Sequence, residues 1–296
     1  MLNNINAKST CELFRIISKR VWDKIIFHHL VNTEVPEIGL TNDIIATLRN
    51  YSRRNGEIGI WANNGWNEKE YGSDIDVFIE RSKGKFVWYA MQAKVLKIKK
   101  NYDIMSKHQW EMLNHLNELS GCMTKFLLYN GVSDFKYSGK DVCNNKFYAH
   151  QFGCSLVKPE VVRILSENSN PKFNDFHPNY AQPWRSIVCC NNNDDSTLFT
   201  SWQIRNAIRY YPIMLTEIDL LAEYSDDIEE DIRAERRDLI NIKKSNEDVG
   251  RSPKYAIVIK NSFRLANPKK ETLKLSEENI NIPILIGKEN EKKERI

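Results

Sequence analysis

The chain has 296 residues, of which 41% are hydrophobic and 28% charged, and its formal net charge is +4. Domains of about 100–200 residues would make this one large domain or two smaller ones. The mild positive charge permits a polyanionic partner without requiring one. No stretch approaches the ~18 apolar residues of a membrane span, and the N-terminus lacks the basic-then-apolar order of a signal peptide. We therefore expect a cytoplasmic globular protein that has no membrane contact.

The cysteines show no repeated C-x-x-C spacing, which predicts reduced cytosolic thiols and not a metal framework. One combination, Cys143 and Cys154 with His150, contains zinc-binding residue types, but its spacing matches no known ligand pattern. The six cysteines are Cys11, Cys122, Cys143, Cys154, Cys189 and Cys190.

The first half of the chain predicts a mixed α/β core. Apolar residues at helical spacing indicate helices over 11–31 and 37–54, the second ending before the helix-stopping pair Asn55-Gly56. Short β-rich runs predict three strands in "GEIGIWA", "SDIDVFIE" and "KFVWYAMQA". A helix over about 106–120 and a strand in "KFLLYNG" follow. The order helix, three strands, helix, strand predicts a central mixed sheet flanked by helices.

The second half is less regular. "KPEVVRILSE" predicts a short helix, "RSIVCC" a strand, and "TSWQIRNAIRYYPIMLTEIDLL" a long helix. "YAIVIK" and "IPILI" predict late strands. We place a core domain at 1–200 and a helical extension with late strands and a charged tail at 201–296.

The hairpin of the second and third strands concentrates polar groups at one end. If its turn centres on Gly84, Asp76 faces Gln92 and Asp74 faces Lys94, all on one side because side chains alternate along a strand. Two carboxylates, an amide and an ammonium would then meet beside an otherwise apolar hairpin.

Such a group suits phosphodiester hydrolysis. A divalent cation neutralises phosphate and lowers the pKa of an attacking water, and Mg²⁺ prefers carboxylate, carbonyl and water oxygens. Asp76, Gln92 and the Ala93 carbonyl could supply ligands. Lys94 could orient the water and stabilise developing charge.

The stretch "GSDIDVFIE…FVWYAMQAK" resembles the core motif of the PD-(D/E)xK, or restriction-endonuclease-like, nucleases, in a variant that has Gln-x-Lys at the second strand. The resemblance covers about 34–131, and a looser similarity to bacterial restriction-endonuclease-like proteins extends to about 190. It implies a restriction-endonuclease-like core and a metal-dependent endodeoxyribonuclease that uses Mg²⁺ or Mn²⁺. It also implies a role in defence against foreign DNA, with a homodimer or a defence-system partner protein as further expectations.

The resemblance implies roles for named residues. Asp76, Gln92 and Lys94 match the catalytic motif, and Asp76, Gln92, Ala93 and Glu37 would bind the metal, with Glu34 as second choice to Glu37. Asp74 and Gln109 are expected to support the site, and Lys97, Lys99 and Lys100 to follow a DNA backbone.

Several alternatives remain open from the sequence. The aspartates could be a solvated turn pair, the lysines an exposed strand end, and Glu37 a first-turn residue that only stabilises its helix. A non-catalytic nucleic-acid-binding module with a degenerate nuclease fold is the main alternative function, since Gln92 replaces an acid of the motif. An enzyme acting on a nucleotide or on RNA is another.

Overall fold

The structure is a computed structural model, and it describes residues 7–62, 73–103, 107–140, 146–167, 169–189, 197–208, 213–216 and 254–260. The described helices are α1 (Thr10–Leu30), α2 (Glu37–Asn55), α3 (Lys107–Ser120), α4 (Pro159–Ser166), α5 (Phe173–Phe176), α6 (Ser186–Cys189) and α7 (Ser201–Ile208), with a 3-10 helix at Ala149–Gly153. The described strands are β1 (Ile58–Ala62), β2 (Ile75–Ser82), β3 (Lys85–Val95), β4 (Met123–Tyr129), β5 (Ser138–Lys140), β6 (Lys146–Tyr148), β7 (Cys154–Val157), β8 (Gln182–Pro183), β9 (Phe199–Thr200), β10 (Ile213–Met214) and β11 (Tyr255–Ile259).

A mixed sheet forms the centre of the described structure. Its strand order is β10-β1-β11-β2-β3-β4-β7-β8, with β9 paired to the start of β3. The pairs β11/β2 and β3/β4 are parallel, and the other neighbours in this order are antiparallel. Strands β5 and β6 form a separate hairpin.

Helices cover both faces of this sheet. Alternate residues of β2 and β3, such as Val77 and Tyr89, pack on one face against α1 and α2. The residues between them, such as Phe78 and Trp88, pack on the other face with side chains from α3 and α7. Both strands are therefore buried on both sides, which explains their nearly continuous apolar sequence. The predicted mixed sheet flanked by helices is confirmed.

Two predicted elements in the second half are wrong. "RSIVCC" contains the short helix α6 and not a strand, and the predicted long helix is interrupted, because Ile213–Met214 form a strand that pairs with β1. A short apolar run fits either a buried strand or a buried helix, so tertiary pairing decides between them. The predicted strand "IPILI" lies outside the described residues.

The predicted boundary at residue 200 has strands of one sheet on both sides. Strand β11 lies between β1 and β2, and β10 pairs with the outer edge of β1. The compact unit that contains this sheet spans Met1–Phe263.

The expectation that all cysteines are reduced is also wrong. Cys11 at the start of α1 forms a disulfide with Cys189 in α6, with Cα atoms 4.9 Å apart. Cys154 is a buried free thiol, and burial raises its pKa above the ordinary range. Cys143, which the zinc alternative required, lies outside the described residues.

None of the helices in the described ranges has the length and apolar character that a bilayer crossing demands.

Candidate functional site

A pocket of about 270 Å³ opens at the end of the sheet where β3 ends and where β2 and β11 begin. Three acidic residues and three lysines line it, together with Pro36, Ile38, Thr41 and Val95. The charged lining residues are Glu37, Asp74, Asp103, Lys94, Lys97 and Lys254. The structure thus brings together Glu37, Asp74, Lys94 and Lys97 from the residues that the sequence singled out.

The register of the β2–β3 hairpin differs from the predicted one. Ser82 pairs with Lys85 across a tight Lys83-Gly84 turn, and an irregularity between Glu80 and Ser82 then shifts the register. As a result Asp76 lies opposite Ala90, not Gln92. The turn is tighter than one centred on Gly84, and the irregularity moves every later pair by a further residue.

The shifted register puts Asp74, not Asp76, beside Gln92. The Asp74 carboxylate accepts hydrogen bonds on Oδ2 from the Gln92 amide nitrogen at 2.5 Å and from the Ala93 backbone N–H at 2.7 Å. The backbone of Asp74 is held as well, because its N–H donates to the Met91 carbonyl at 2.7 Å. Asp74, expected only as a supporting residue, is therefore the aspartate that lies in the pocket.

Asp76 lies outside the pocket lining. It is buried and accepts a long hydrogen bond of 3.4 Å from the Ser73 hydroxyl. Burial raises the pKa of the Cys122 thiol to about 12, and the negative charge of Asp76 acts in the same direction. Asp76 lies opposite Ala90, which packs in the cluster on the α3 side of the sheet, so the Asp76 side chain lies on that side as well.

Gln92 contacts Asp74 through its nitrogen. The assignment follows from chemistry, since an ionised carboxylate only accepts hydrogen bonds and the amide nitrogen is the donor. Gln92 is fully buried and is not among the residues that line the pocket. In this orientation it positions the Asp74 carboxylate, whereas the sequence analysis expected its oxygen to bind metal.

Glu37 begins α2 directly after Pro36, which acts as the N-cap residue. Glu37 and Asp74 line the same pocket, and the charges of both act on the buried Tyr129 phenol. Burial is the largest cause of the raised pKa of Tyr129, and the negative charges of Glu37 and Asp74 raise it further. The Tyr129 hydroxyl is 3.0 Å from that of Thr41, one helical turn after Glu37, and so ties β4 to α2.

The three lysines predicted to bind DNA differ in their ion pairs and in their exposure. Lys97 lies at the pocket rim and forms ion pairs with Glu34 at 3.2 Å and Asp103 at 3.1 Å. Burial alone would lower the pKa of Lys97, but hydrogen bonds and charges from Asp103 and Glu34 outweigh it and raise the pKa.

Lys100 forms an ion pair with Asp134 at 2.7 Å, and Lys99 is exposed. Gln109 lies in the first turn of α3 and is not among the described residues that line the pocket.

Lys254 was missed by the sequence analysis. It precedes β11, its backbone N–H donates to the Asp74 carbonyl at 2.9 Å, and the residue lines the pocket. No local signal could have identified it, because it reaches the site only through the pairing of β11 with β2.

The anionic groups available to a cation in this pocket are the carboxylates of Glu37, Asp74 and Asp103. Across the described ranges, no group of three or more His, Cys, Asp and Glu side chains is placed to hold a metal ion. Mg²⁺, however, is usually bound by only one or two carboxylates, together with waters and substrate phosphates. Glu37 and Asp74 meet that smaller requirement, so the donor set fits Mg²⁺ or Mn²⁺.

Comparison with known proteins gives one match. No curated protein and no solved structure matches the chain. The model of a family of unknown function, DUF6615, matches residues 10–290. That range includes all the described strands and every residue of the pocket, so the chain belongs to DUF6615, a family of unknown function.

Proposed function

We propose that this protein is a metal-dependent endodeoxyribonuclease with a restriction-endonuclease-like core. The observation that carries the proposal is the meeting of Glu37, Asp74 and Lys94 in one pocket, with Gln92 hydrogen-bonded to Asp74. These residues come from a helix start, a strand start and a strand end, as the motif requires. The order α2, β1, β2, β3, α3, β4, with β4 parallel to β3, agrees with the fold that the motif implies.

The residues have separate roles in this proposal. Glu37 and Asp74 would hold Mg²⁺ or Mn²⁺, which supplies charge neutralisation and a more acidic water. Two N–H donors on one oxygen fix the Asp74 carboxylate in a single orientation. Lys94, partly exposed beside it, would donate to the phosphate and orient the attacking water.

A plasmid-nicking assay with Mg²⁺, Mn²⁺ or EDTA tests this proposal. We expect cation-dependent cleavage by the native protein and a loss of about 10²-fold or more in Lys94→Met, because one electrostatic or acid–base group typically contributes that much. Lys19→Met removes an exposed lysine of α1, which does not line the pocket, and should cleave normally. Full cleavage by a folded Lys94→Met variant would remove this lysine from the mechanism.

Asp74→Asn and Asp76→Asn separate the two aspartates. The pocket geometry predicts a large loss of cleavage for Asp74→Asn, whereas Asp76→Asn should act through stability alone. Equal melting temperatures with loss of cleavage only in Asp76→Asn would contradict the assignment of Asp74.

The main alternative is a non-catalytic nucleic-acid-binding module. It is favoured because no three His, Cys, Asp or Glu side chains of the described residues are grouped to hold a metal ion, and because the residue next to Asp74 is the neutral Gln92. DNA binding without cleavage under any of the cation conditions would support it. An RNA substrate in the same assay tests whether the enzyme acts on RNA instead. The role in bacterial defence and a homodimer or partner protein remain proposals that accompany the motif resemblance. The cytoplasmic location remains a proposal from the sequence composition.

A further inference from the structure

A second groove lies along α2, with a volume of about 510 Å³. Two asparagines and two arginines line it together with apolar side chains that form its floor. The lining residues are Asn42, Ile45, Ala46, Arg49, Asn50, Arg53 and Leu215.

This groove continues from the pocket along one face of the helix. Ile38 lines the pocket and Asn42 lines the groove, and residues four apart are neighbours on a helix surface. Asn42 is fixed at the junction by a hydrogen bond of 2.7 Å from the Tyr255 hydroxyl. At 1.5 Å per residue, Arg49 and Arg53 lie about 18 and 24 Å along the helix from Glu37.

Arg49 of α2 differs in its contacts from three cations of α1. Arg15, Lys19 and Lys24 each form an ion pair with a nearby carboxylate. Arg49 forms none with any carboxylate in the described ranges, and its Nε atom is buried with no hydrogen-bond partner there. A half-buried guanidinium with no acceptor among the described residues is suited to an external anion.

We propose that this groove binds the phosphodiester backbone of a nucleic acid whose scissile phosphate lies in the pocket. The inference rests on the proposed function for its substrate class. At about 3.4 Å of axis per phosphate on one strand, 18–24 Å corresponds to about five to seven nucleotide steps. A mononucleotide could not reach both places, so the geometry favours a polymer over a free nucleotide.

The test measures binding and cleavage separately. Fluorescence anisotropy in EDTA, with a labelled duplex of about 20 base pairs, gives the affinity from about 50 to 200 mM salt. We expect Arg49→Gln/Arg53→Gln to lose about tenfold or more in affinity, and its log–log salt slope to fall by about two. Arg49→Lys/Arg53→Lys keeps both charges and should retain most of the salt slope. This variant therefore shows whether a loss of affinity comes from the lost charge or from altered packing.

Arg15→Gln/Lys19→Gln is the matched control. It also removes two positive charges from an exposed helix face, and it should bind DNA like the native protein. Thermal melting of all variants establishes that they are folded, and a titration with inorganic phosphate shows whether the groove binds only small anions.

The outcomes are distinguishable. Equal DNA affinity of the native protein and Arg49→Gln/Arg53→Gln would overturn the proposal that the groove binds DNA. Cleavage of DNA by both proteins would still leave the nuclease proposal intact. DNA binding that depends on the two arginines, without cleavage by the native protein, would support DNA binding in the groove and would overturn the nuclease proposal. An absence of DNA binding by the native protein, or a response to inorganic phosphate alone, would overturn the inference.

Discussion

Gln92 is a neutral residue whose amide nitrogen lies 2.5 Å from a carboxylate oxygen of Asp74. It stabilises that carboxylate without adding charge, and this distinguishes the pocket from one with two adjacent acids. A carboxylate in its place would meet Asp74 at hydrogen-bonding distance, and like charges so close cannot both remain ionised at low cost.

Gln92→Glu should therefore make stability depend on divalent cations. Without a cation, mutual repulsion should raise the pKa of one carboxyl group and destabilise the fold by about 1–3 kcal/mol, the usual cost of disturbing a buried polar pair. Millimolar Mg²⁺ should restore much of the lost melting temperature. Gln109→Glu, away from the pocket, is the control, and an identical Mg²⁺ response in both variants would contradict the metal assignment.

His177 belongs to a polar cluster outside the pocket. It is buried, and its ring nitrogens lie 2.8 Å from the Ser155 hydroxyl and 2.9 Å from the Phe173 carbonyl. Burial lowers the pKa of His177 to about 3, against 6.5 for an ordinary histidine. The folded protein therefore excludes a proton that the unfolded chain accepts below pH 6.5.

Stability should accordingly fall as the pH decreases from about 6.5 toward 3. The contribution of His177 is fully present above pH 6.5 and is lost by up to about 1.4 kcal/mol per pH unit below it. Urea unfolding at several pH values should show a weaker decline in His177→Gln than in the native protein, at lower overall stability. His28→Gln is the surface control, and parallel pH profiles for native protein and His177→Gln would refute this account.

At the scale of elements, α1 packs closely on the 3-10 helix at Ala149–Gly153. A Cβ atom on Gly153 would lie 1.9 Å from the Ser18 carbonyl oxygen and 3.0 Å from the Trp22 nitrogen. These are backbone atoms in the middle of a helix, so they cannot move without moving α1. The close approach is therefore possible only with glycine.

Gly153→Ala should destabilise the protein by about 2–4 kcal/mol, in the upper range for forced overpacking of a core. The matched change is Gly39→Ala in the first turns of α2, where a Cβ atom would meet only the Pro36 Cβ atom, at 4.0 Å. That variant should be neutral or more stable by up to about 1 kcal/mol, since alanine favours a helix over glycine. Chemical unfolding of both variants measures the difference, and a Gly153→Ala protein as stable as the native one would contradict the packing.

For the whole molecule, the decisive feature is the position of β11. This late strand pairs along five residues with both β1 and β2, and it contributes Lys254 to the pocket. Removing it would separate β1 from the rest of the sheet and expose backbone groups in the core.

A chain truncated after residue 200 should therefore fail to fold cooperatively. A chain truncated after residue 263, the end of the compact unit, should keep the native melting transition. Circular dichroism and thermal melting distinguish the two. A cooperative, native-like transition for the shorter chain would show that the domain predicted at 1–200 is independent.

The sequence by itself determined the elements that have strong local signals. Helices α1 and α2 and strands β1 to β4 were predicted because their apolar periodicity and their Gly and Pro boundaries are local properties. The polar pattern of the β2–β3 hairpin identified Asp74 and Lys94 as candidates, and the motif resemblance added Glu37. The structure brings all three into one pocket.

Only the tertiary structure decided the register and the distant partners. A two-residue turn and one strand irregularity exchanged Asp76 for Asp74, and no local pattern records such a shift. Lys254 reaches the pocket, and Tyr129 reaches Thr41 in the pocket lining, through strand pairings between residues far apart in the chain. Those pairings depend on the free energy of burying the whole sheet, which is a property of the assembled core and not of any short stretch of sequence.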